Sequence, residues 1–415
     1  MTGPVPDTAR LERNGKCIRV MNFTWMFMLM MPVIVPYMKS FGLSREQIFQ
    51  VQAFFGFVIV VLEVPSGYVS DLFGRRGCLI LASILRGIAY IWLAFVNSFT
   101  DMLIFQVLAA MSVALYSGTD VAILYDSLEA AGKGGAQRRE MSQRLFWMQS
   151  GETVAAVLAT AIMAGALEIG DAPLRAVAFW NAIAGWVPFL VALFLVEPPR
   201  PRMSRTKHLD NVRFVARELW QQGPMMRRVL VGLIAYGLTT LLAVWSFQDY
   251  WEKLGIGITS FGVLWAVYNM LVALVGRSAH RIETFFGTPH TIRIIGVLPV
   301  LGFAGMAVCA GAPNFVVLSL GVAAGVAFQV GRGLTQVVLK DELNHRVPTE
   351  MRATANSISS LGVRMAFIPL GPLLGRLVDD WGHGVAYGIF AGLCVLVLLG
   401  IALPLARDLG REQTT

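Results

Sequence analysis

The chain has 415 residues, of which 56% are hydrophobic and 14% charged, and its formal net charge is +8. About a quarter of the residues of a soluble domain are charged, so this composition excludes an ordinary soluble protein and predicts a polytopic membrane protein. Positive charge placed on one side of a membrane accounts for the basic balance and argues against nucleic-acid binding. The four cysteines lack the spacing of a disulfide framework or a zinc site, and packing is their expected role.

Apolar runs long enough to cross about 30 Å of hydrocarbon as helices recur along the whole sequence. Twelve are predicted, near residues 18–38, 51–70, 78–96, 101–124, 143–167, 174–196, 228–250, 260–281, 291–311, 313–339, 352–377 and 384–405. A stretch rich in proline and arginine interrupts them after the sixth. We therefore predict an N-terminal six-helix bundle at 1–196, a cytoplasmic linker at 197–226 and a C-terminal six-helix bundle at 227–415.

Within the linker, apolar residues recur at helical spacing and predict a short amphipathic helix. They are Leu209, Val212, Ala216, Leu219 and Trp220. This helix either lies on the inner leaflet or is plainly solvated.

The basic residues are unevenly distributed between the two sides of the predicted spans. With the N-terminus in the cytoplasm, 26 of the 34 lysines and arginines fall inside, five outside and three within spans. Such a bias towards the cytoplasmic side is the positive-inside rule. It predicts that both termini are cytoplasmic. The polar start, residues 1–17, shows no cleavage site, so the first span is expected to stay.

The turn after the second span reads GYVSDLFGRR at residues 67–76. Gly67 and Gly74 permit a tight reversal, while Asp71, Arg75 and Arg76 supply pairing groups at a membrane face. An ordinary charged turn is the alternative interpretation. The spacing G-x-x-x-D-x-x-G-R-R resembles the signature loop between helices 2 and 3 of the major facilitator superfamily (MFS) of secondary transporters.

Further resemblances extend over the chain. Residues 118–128 align with 333–343, and residues 72–74 with 285–287, as expected of two remote copies in which the second gate motif is degraded. The segment from Leu343 to Ser357 is similar to one common in bacterial members. One position departs from the pattern, since Leu72 stands where the family has a basic residue and puts one gate contact in doubt.

The resemblance implies an MFS fold, with twelve transmembrane helices in two pseudo-symmetric bundles, and a monomer in the bacterial inner membrane. It implies a transporter that moves a small organic molecule by alternating access. An enzyme or an ATP-driven pump is not expected, since the sequence has no phosphate loop, nucleophile elbow or metal-ligand run. No cofactor is expected either. Export by proton antiport is favoured. Proton-coupled uptake is the alternative, and a non-transporting sensor or scaffold is the alternative of another class.

The direction of transport has little support from motifs. Proton-coupled exporters of the superfamily carry a G-P-x-x-G-G pattern in helix 5, which this chain lacks. A related element, Gly371 to Gly375, occurs in helix 11 instead.

Ionisable side chains within spans cost about 2.5–3.5 kcal/mol each at a helix centre and therefore need a reason. They are Glu63, Arg86, Asp120, Glu152, Arg332 and Arg364. Asp120, with Glu63 or Glu152, is the candidate for proton coupling, because desolvation favours the protonated carboxyl and a nearby cation reverses that preference. Static ion pairs are the alternative, above all for Arg86 with Glu63.

Two further sets of residues complete the predicted sites. The substrate-binding candidates are Asn22, Trp25, Tyr116, Tyr236, Thr239, Thr240, Gln329, Arg332, Gln336 and Arg364. Polar stripes at helical spacing, Ser112 to Asp120 and Gln329 to Gln336, support several of them. The cytoplasmic-gate candidates are Gly67, Asp71, Gly74, Arg75, Arg76, Asp126, Arg144 and Arg352. We expect Arg75 and Arg76 to reach Asp126, and Asp71 to reach Arg144 or the start of helix 11 near Arg352.

Overall fold

The computed structural model describes residues 8–168, 172–199, 208–311, 314–348 and 351–412. Inside its helices, the side chains of residues 63–73, 134, 138, 142, 168, 208–213 and 353 are outside the description. The described chain is helical, with no strand in these ranges. The α-helices are α1 (Thr8–Met26), α2 (Ile34–Ser40), α3 (Arg45–Phe73), α4 (Arg75–Ala94), α5 (Phe99–Tyr116), α6 (Thr119–Ala130), α7 (Gln137–Glu168), α8 (Pro173–Ala184), α9 (Val187–Ala192), α10 (His208–Gln221), α11 (Pro224–Lys253), α12 (Phe261–Phe286), α13 (Thr288–Val308), α14 (Phe315–Leu334), α15 (Lys340–Arg346), α16 (Arg352–Val397) and α17 (Leu403–Glu412).

Eleven segments of the described chain are long and apolar enough to cross a membrane. The last of them, Thr354–Glu412, has 59 residues, or about 88 Å of helix at 1.5 Å per residue, which is far too long for one crossing. Its helix α16 is interrupted at Gly382, where φ is 80° and ψ is 167°. The segment therefore supplies two spans, and the twelve-helix membrane fold predicted from the sequence is confirmed.

The chain forms two compact units. Unit 1 consists of Met1–Gly42, Phe54–Thr206 and Thr259–Ala266, and unit 2 of Leu43–Ala53, Lys207–Ile258 and Val267–Thr415. The division thus passes through α3 and α12. Each unit has two ends. We call the end of unit 1 that contains the Gly74 turn its inner end, and likewise the end of unit 2 that contains the Gly287 turn. The opposite end of each unit is its outer end, and the names follow the orientation expected from the distribution of lysines and arginines.

The two halves of the chain repeat the same local devices. Gly74 precedes α4 with φ 85° and ψ 155°, and Gly287 precedes α13 with φ 78° and ψ 150°, a backbone that side chains rarely adopt. Ser98 and Asn314 cap α5 and α14 by accepting a hydrogen bond from the N–H three residues on, at 3.1 and 2.9 Å. The aligned turns of the sequence repeat therefore share their geometry.

The linker helix forms as α10, but part of its apolar stripe is not free for a membrane surface. Val215 and Leu219 are buried in the core of unit 2 together with Val229 and Ile292. Leu219, which the sequence analysis placed on the stripe of a leaflet-bound or solvated helix, thus packs against protein. Trp220 is 51% exposed on another side of the helix. The linker boundaries at 197 and 226 stay a prediction.

Candidate functional site

A break in the fourth span positions the carboxylate of Asp120. The sequence predicts one continuous helix over 101–124, but α5 ends at Tyr116 and α6 begins at Thr119. Gly118 lies between them with φ 81°, a backbone conformation that glycine adopts easily and in which a residue with a side chain would be strained. Asp120 consequently lies in the first turn of α6, where the helix dipole favours a negative charge. The continuous stripe predicted from Ser112 to Asp120 is wrong for the same reason.

Asp120 is fully buried, at 0% exposure, and is paired with Arg144 of α7. Arg144 Nε donates to Asp120 Oδ2 over 2.6 Å. Among the described residues Asp120 Oδ1 has no hydrogen-bond partner. Arg144 therefore neutralises the expected proton-coupling residue, although the sequence predicts it as a gate residue and as one of two alternative partners of Asp71. The Asp71 side chain is outside the described part.

The first span is broken as well, and Arg86 of α4 contacts the break. Helix α1 ends at Met26 and the chain resumes in a short 3₁₀ turn at Met31–Val33. Arg86 Nη2 donates to the carbonyl oxygen of Trp25, and its guanidinium carbon lies 4.7 Å from the centroid of the Trp25 ring and 4.5 Å from that of Tyr90. Arg86 thus satisfies a terminal helix carbonyl and stacks on aromatic rings.

The Glu63 side chain is outside the described part, so the expected Glu63–Arg86 ion pair stays a prediction. The expected gate roles of Gly67 and Asp71 also stay predictions, because both residues lie in the stretch of α3 whose side chains are outside the described part.

Three substrate-binding candidates meet where α1 and α5 end. The rings of Trp25 and Tyr116 are stacked with centroids 3.7 Å apart and an interplanar angle of 10°. Tyr116 Oη donates to Asn22 Oδ1 over 2.9 Å, and Asn22 Nδ2 donates to the Ile18 carbonyl over 2.8 Å. We call Asn22, Trp25, Arg86, Tyr116, Asp120 and Arg144 the break-point cluster.

Helix α7 packs closely against α1, which brings Arg144 to the other members of the break-point cluster. A Cβ added to Gly151 would lie 2.2 Å from the carbonyl oxygen of Phe23, so only glycine fits there. The neighbouring Glu152 is 8% exposed, and its Oε1 accepts a hydrogen bond from Trp265 Nε1 at 3.0 Å. This second carboxylate candidate is therefore held by an indole in unit 1.

The candidates on α11 do not form an open polar patch. Tyr236 is 4% exposed within the core of unit 2, and its hydroxyl lies 3.2 Å from the point that a Cβ on Gly296 would occupy. Thr239 and Thr240 donate to the Tyr236 carbonyl over 2.9 and 3.0 Å. The ring of Tyr236 thus packs in the core of unit 2, and its assignment to a substrate site stays a prediction.

The stripe predicted on the tenth span is also interrupted. The chain is π-helical over Thr335–Leu339, and such an extra residue per turn rotates whatever follows it. Gln329 is buried and Arg332 half-buried, and both precede the π-helix; Gln336 lies inside it and is exposed. Arg364 of α16 is half-buried. The π-helix aligns with the start of α6 in the sequence repeat.

At the inner end of unit 1, Arg75 Nη1 lies 3.0 Å from Asp126 Oδ2. Glu197, which is not among the predicted gate residues, accepts hydrogen bonds through its carboxylate from the N–H groups of Arg75 and Arg76 at 2.9 and 2.7 Å. It thereby caps the N-terminus of α4. A carboxylate directly after the sixth span was the available signal. Arg352 Nε donates to the carbonyl of Asn344 over 2.8 Å.

The chain is similar to proteins of one known family, both in sequence and in fold. The family described as Major Facilitator Superfamily matches residues 18–368, and a search of curated proteins found no match. The chain is similar in fold to the nucleoside transporter NupG, at 15% identity with a TM-score of 0.74, covering 95% of this chain and 98% of that one. It is also similar to a D-xylose-proton symporter, at 15% identity with a TM-score of 0.68, covering 95% of this chain and 96% of that one. A third similar structure is that of a POT family transporter in complex with 5-aminolevulinic acid, at 11% identity with a TM-score of 0.69, covering 97% of this chain and 96% of that one.

Proposed function

We propose that this chain, which belongs to the Major Facilitator Superfamily and is a secondary transporter of that type, carries a small organic molecule by alternating access in exchange with, or together with, protons. The observation that carries the proposal is the buried Asp120–Arg144 pair at the break of the fourth span. In the proposal, Asp120 takes up the proton. The protein acts as a monomer without catalysis or nucleic-acid binding, in a bacterial inner membrane, with both termini in the cytoplasm.

Charge balance at this pair favours one coupling mode. When Asp120 is protonated, Arg144 loses its partner and becomes a site for an anionic group of the substrate. The buried charge is then zero before and after binding, which avoids leaving an uncompensated charge in a desolvated place. The proton and the substrate bind together, which is symport and, with an inward proton gradient, uptake.

Antiport of a cation, the mode favoured by the sequence analysis, requires a different exchange. A cationic substrate would have to displace Arg144 from Asp120 and leave two positive groups beside one carboxylate. Such an excess of buried charge is costly. We therefore place proton-coupled uptake of a small organic anion first and proton-driven export second.

The rest of the break-point cluster suits the organic part of such a substrate. Trp25 and Tyr116 supply aromatic surface and Asn22 an amide, a combination typical of mostly apolar sites with few orienting polar groups. Arg86 is held by a helix carbonyl and two rings, which assigns it to maintaining the break. Arg75, Asp126 and Glu197 hold the inner end of unit 1 and form the proposed gate.

The test is a binding screen by thermal stabilisation of the purified protein at about pH 5.5 and about pH 7.5, on either side of neutrality. Small carboxylates and phosphates are the anionic probes, and quaternary amines are the cationic ones. The proposal expects anions to stabilise the protein more at the lower pH, and Asp120→Asn to bind them equally at both. Asp101→Asn, in the first turn of α5, is the matched control and should retain the wild-type pH dependence.

Flux in vesicles then separates the alternatives. An anion that binds should accumulate when the vesicle exterior is acidic. If cations stabilise the protein more at the higher pH, and a proton gradient drives their expulsion from the vesicles, the protein is an exporter and the uptake proposal is wrong. If a ligand binds but is not carried under any imposed gradient, the alternative of a non-transporting sensor is favoured over a transporter.

A further inference from the structure

The start of α3 is held at the outer end of unit 2 by acidic side chains of α11 and α16. Arg45 Nε donates to Asp249 Oδ2 over 2.7 Å, and Arg45 Nη1 donates to Asp379 Oδ1 over 3.2 Å. The backbone N–H of Glu46 donates to Asp379 Oδ2 over 2.9 Å. Asp379 thus caps the first turn of α3 from another helix, where its negative charge also meets the positive end of the helix dipole.

Gly375 makes this approach possible. A Cβ at Gly375 would lie 2.6 Å from the carbonyl oxygen of Arg45 and 2.8 Å from the Cα of Glu46. Gly375 lies one helical turn before Asp379, so the same face of α16 provides both the room and the cap. The element from Gly371 to Gly375, noted in the sequence without a role, is here the place against which α3 packs.

A histidine binds the same carboxylate oxygen as Arg45. His383 Nε2 lies 2.7 Å from Asp249 Oδ2, and both residues are 6% exposed. An ionised carboxylate only accepts hydrogen bonds, so Nε2 carries the hydrogen in this arrangement. The rings of Tyr250 and Tyr387 lie 6.4 and 5.8 Å from the imidazole, centroid to centroid. We call Arg45, Asp249, Asp379 and His383 the outer latch.

Charged and titratable groups of four helices surround the outer latch. Helix α3 presents Arg45 and Glu46, α11 presents Asp249 and Tyr250 and ends in Glu252 and Lys253, α13 is followed by Cys309, and α16 presents Arg376, Asp379, Asp380 and Tyr387. Arg376 and Asp380 form an exposed pair at 3.5 Å. Of these side-chain types, only histidine normally changes charge between about pH 5 and 8.

We infer that the outer latch is a proton-binding site, in which protonation of His383 tightens the hold of Asp249 and Asp379 on the first turn of α3. With a neutral imidazole the four groups sum to one negative charge, because Arg45 faces two carboxylates. With imidazolium the sum is zero, and both bonds to Asp249 become charge-assisted between opposite charges. Acid therefore closes the latch, and loss of the proton loosens it.

The inference deepens the proposed function and rests on its alternating access; it adds that the start of α3 is a part that separates from α11 and α16 during the cycle. A proton arriving at the outer end would favour closure there. In a proton symporter, closure of the outer end after proton uptake is the step that commits the cycle to inward release. His383 would then contribute to coupling without contacting the substrate.

The experiment measures hydrogen exchange of residues 43–53 in the purified full-length protein, corrected for the intrinsic pH dependence of exchange. Between about pH 5.5 and about pH 7.5, the wild-type protein should lose protection by about tenfold, the effect of one pK unit of interaction with the carboxylate. His383→Gln keeps a donor for Asp249 and should abolish this pH dependence. Asp249→Asn should lower protection at both pH values.

Arg376→Gln is the control, since it breaks the neighbouring exposed pair and should leave the pH profile unchanged. A wild-type profile that is flat, or a His383→Gln profile that still changes with pH, overturns the inference. The wild-type profile decides the question even if a variant fails to fold. The Asp120→Asn protein should retain the latch profile, so failure at Asp120 and failure at the latch give separate results.

Discussion

The stacked rings of Trp25 and Tyr116, 3.7 Å between centroids, join the last turns of two helices that both stop in the middle of a membrane span. Helix α1 ends at Met26 and α5 at Tyr116. Interrupted spans expose backbone groups that must be satisfied where they line a cavity or pack in protein. Substrate sites in transporters built from repeats are typically formed by such discontinuous helices. The stack therefore marks the part of unit 1 in which a binding site is expected.

Tyr116→Phe should weaken the junction of α1 and α5 by removing the hydrogen bond to Asn22. The loss leaves Asn22 Oδ1 without this donor and should cost about 1 kcal/mol of stability, measured as a lower midpoint of denaturant-induced unfolding. Asn22→Ala and the double variant complete a cycle. If the two single effects simply add, the bond between these residues contributes nothing and the junction depends on the stacked rings alone.

Gly151→Ala should be strongly destabilising, because its Cβ would fall 2.2 Å from the Phe23 carbonyl oxygen. Backbone on the opposite side cannot yield as a flexible side chain does, so α7 must shift away from α1, at a cost of about 1–3 kcal/mol. Gly165→Ala on the same helix is the matched control, since nothing lies within 4 Å of its added Cβ.

Because alanine is the better helix former, Gly165→Ala should be neutral or stabilising by up to about 1 kcal/mol. The measurement is the apparent melting temperature of both variants in the same detergent. Equal melting temperatures for the two variants would contradict the close packing of α1 on α7.

The contact of Arg75 with Asp126 should appear as a coupling energy. Both side chains are about one-fifth exposed, so the coupling between them should be near the upper end of the range for accessible pairs, about 1 kcal/mol. Arg75→Ala, Asp126→Ala and the double variant give the value from unfolding midpoints, repeated at high salt, where it should fall. Glu197 contacts the backbone of Arg75, so it remains in place in all three variants. A coupling that is absent at low salt would remove this pair from the proposed gate.

The twelve spans were predictable because about 20 consecutive apolar residues are needed to cross a bilayer, whatever their tertiary partners. The candidate site was harder to predict from the sequence, for two physical reasons. A glycine inside an apolar run such as Gly118 signals either a tolerated helix residue or a break. Helical spacing also does not say which neighbour a polar face meets, and the sequence could not show that the ring of Tyr236 packs against other helices of unit 2. The partner of Asp120, Arg144, lies on another helix 24 residues away.

Asp249 and His383 were missed for a related reason. Asp249 lies at the end of an apolar run that reads as an ordinary span terminus, and His383 follows a break at Gly382 within what appears in sequence as a short loop. Their contact joins residues 134 positions apart. Only the packing of α11 against α16 brings the imidazole to the carboxylate.

The break at Gly118 provides the most direct test of how the fourth span presents Asp120. Gly118→Ala places a side chain at φ 81° and should cost about 1–2 kcal/mol. It should also favour a continuous helix that carries Asp120 out of the first turn of α6. Gly118→Asn is the control, because asparagine tolerates this conformation far better. The readout is the pH dependence of anion-induced thermal stabilisation, which Gly118→Ala should reduce and Gly118→Asn should retain. If both variants retain it, the position of Asp120 does not depend on the break, and the pair with Arg144 must be maintained by α7 alone.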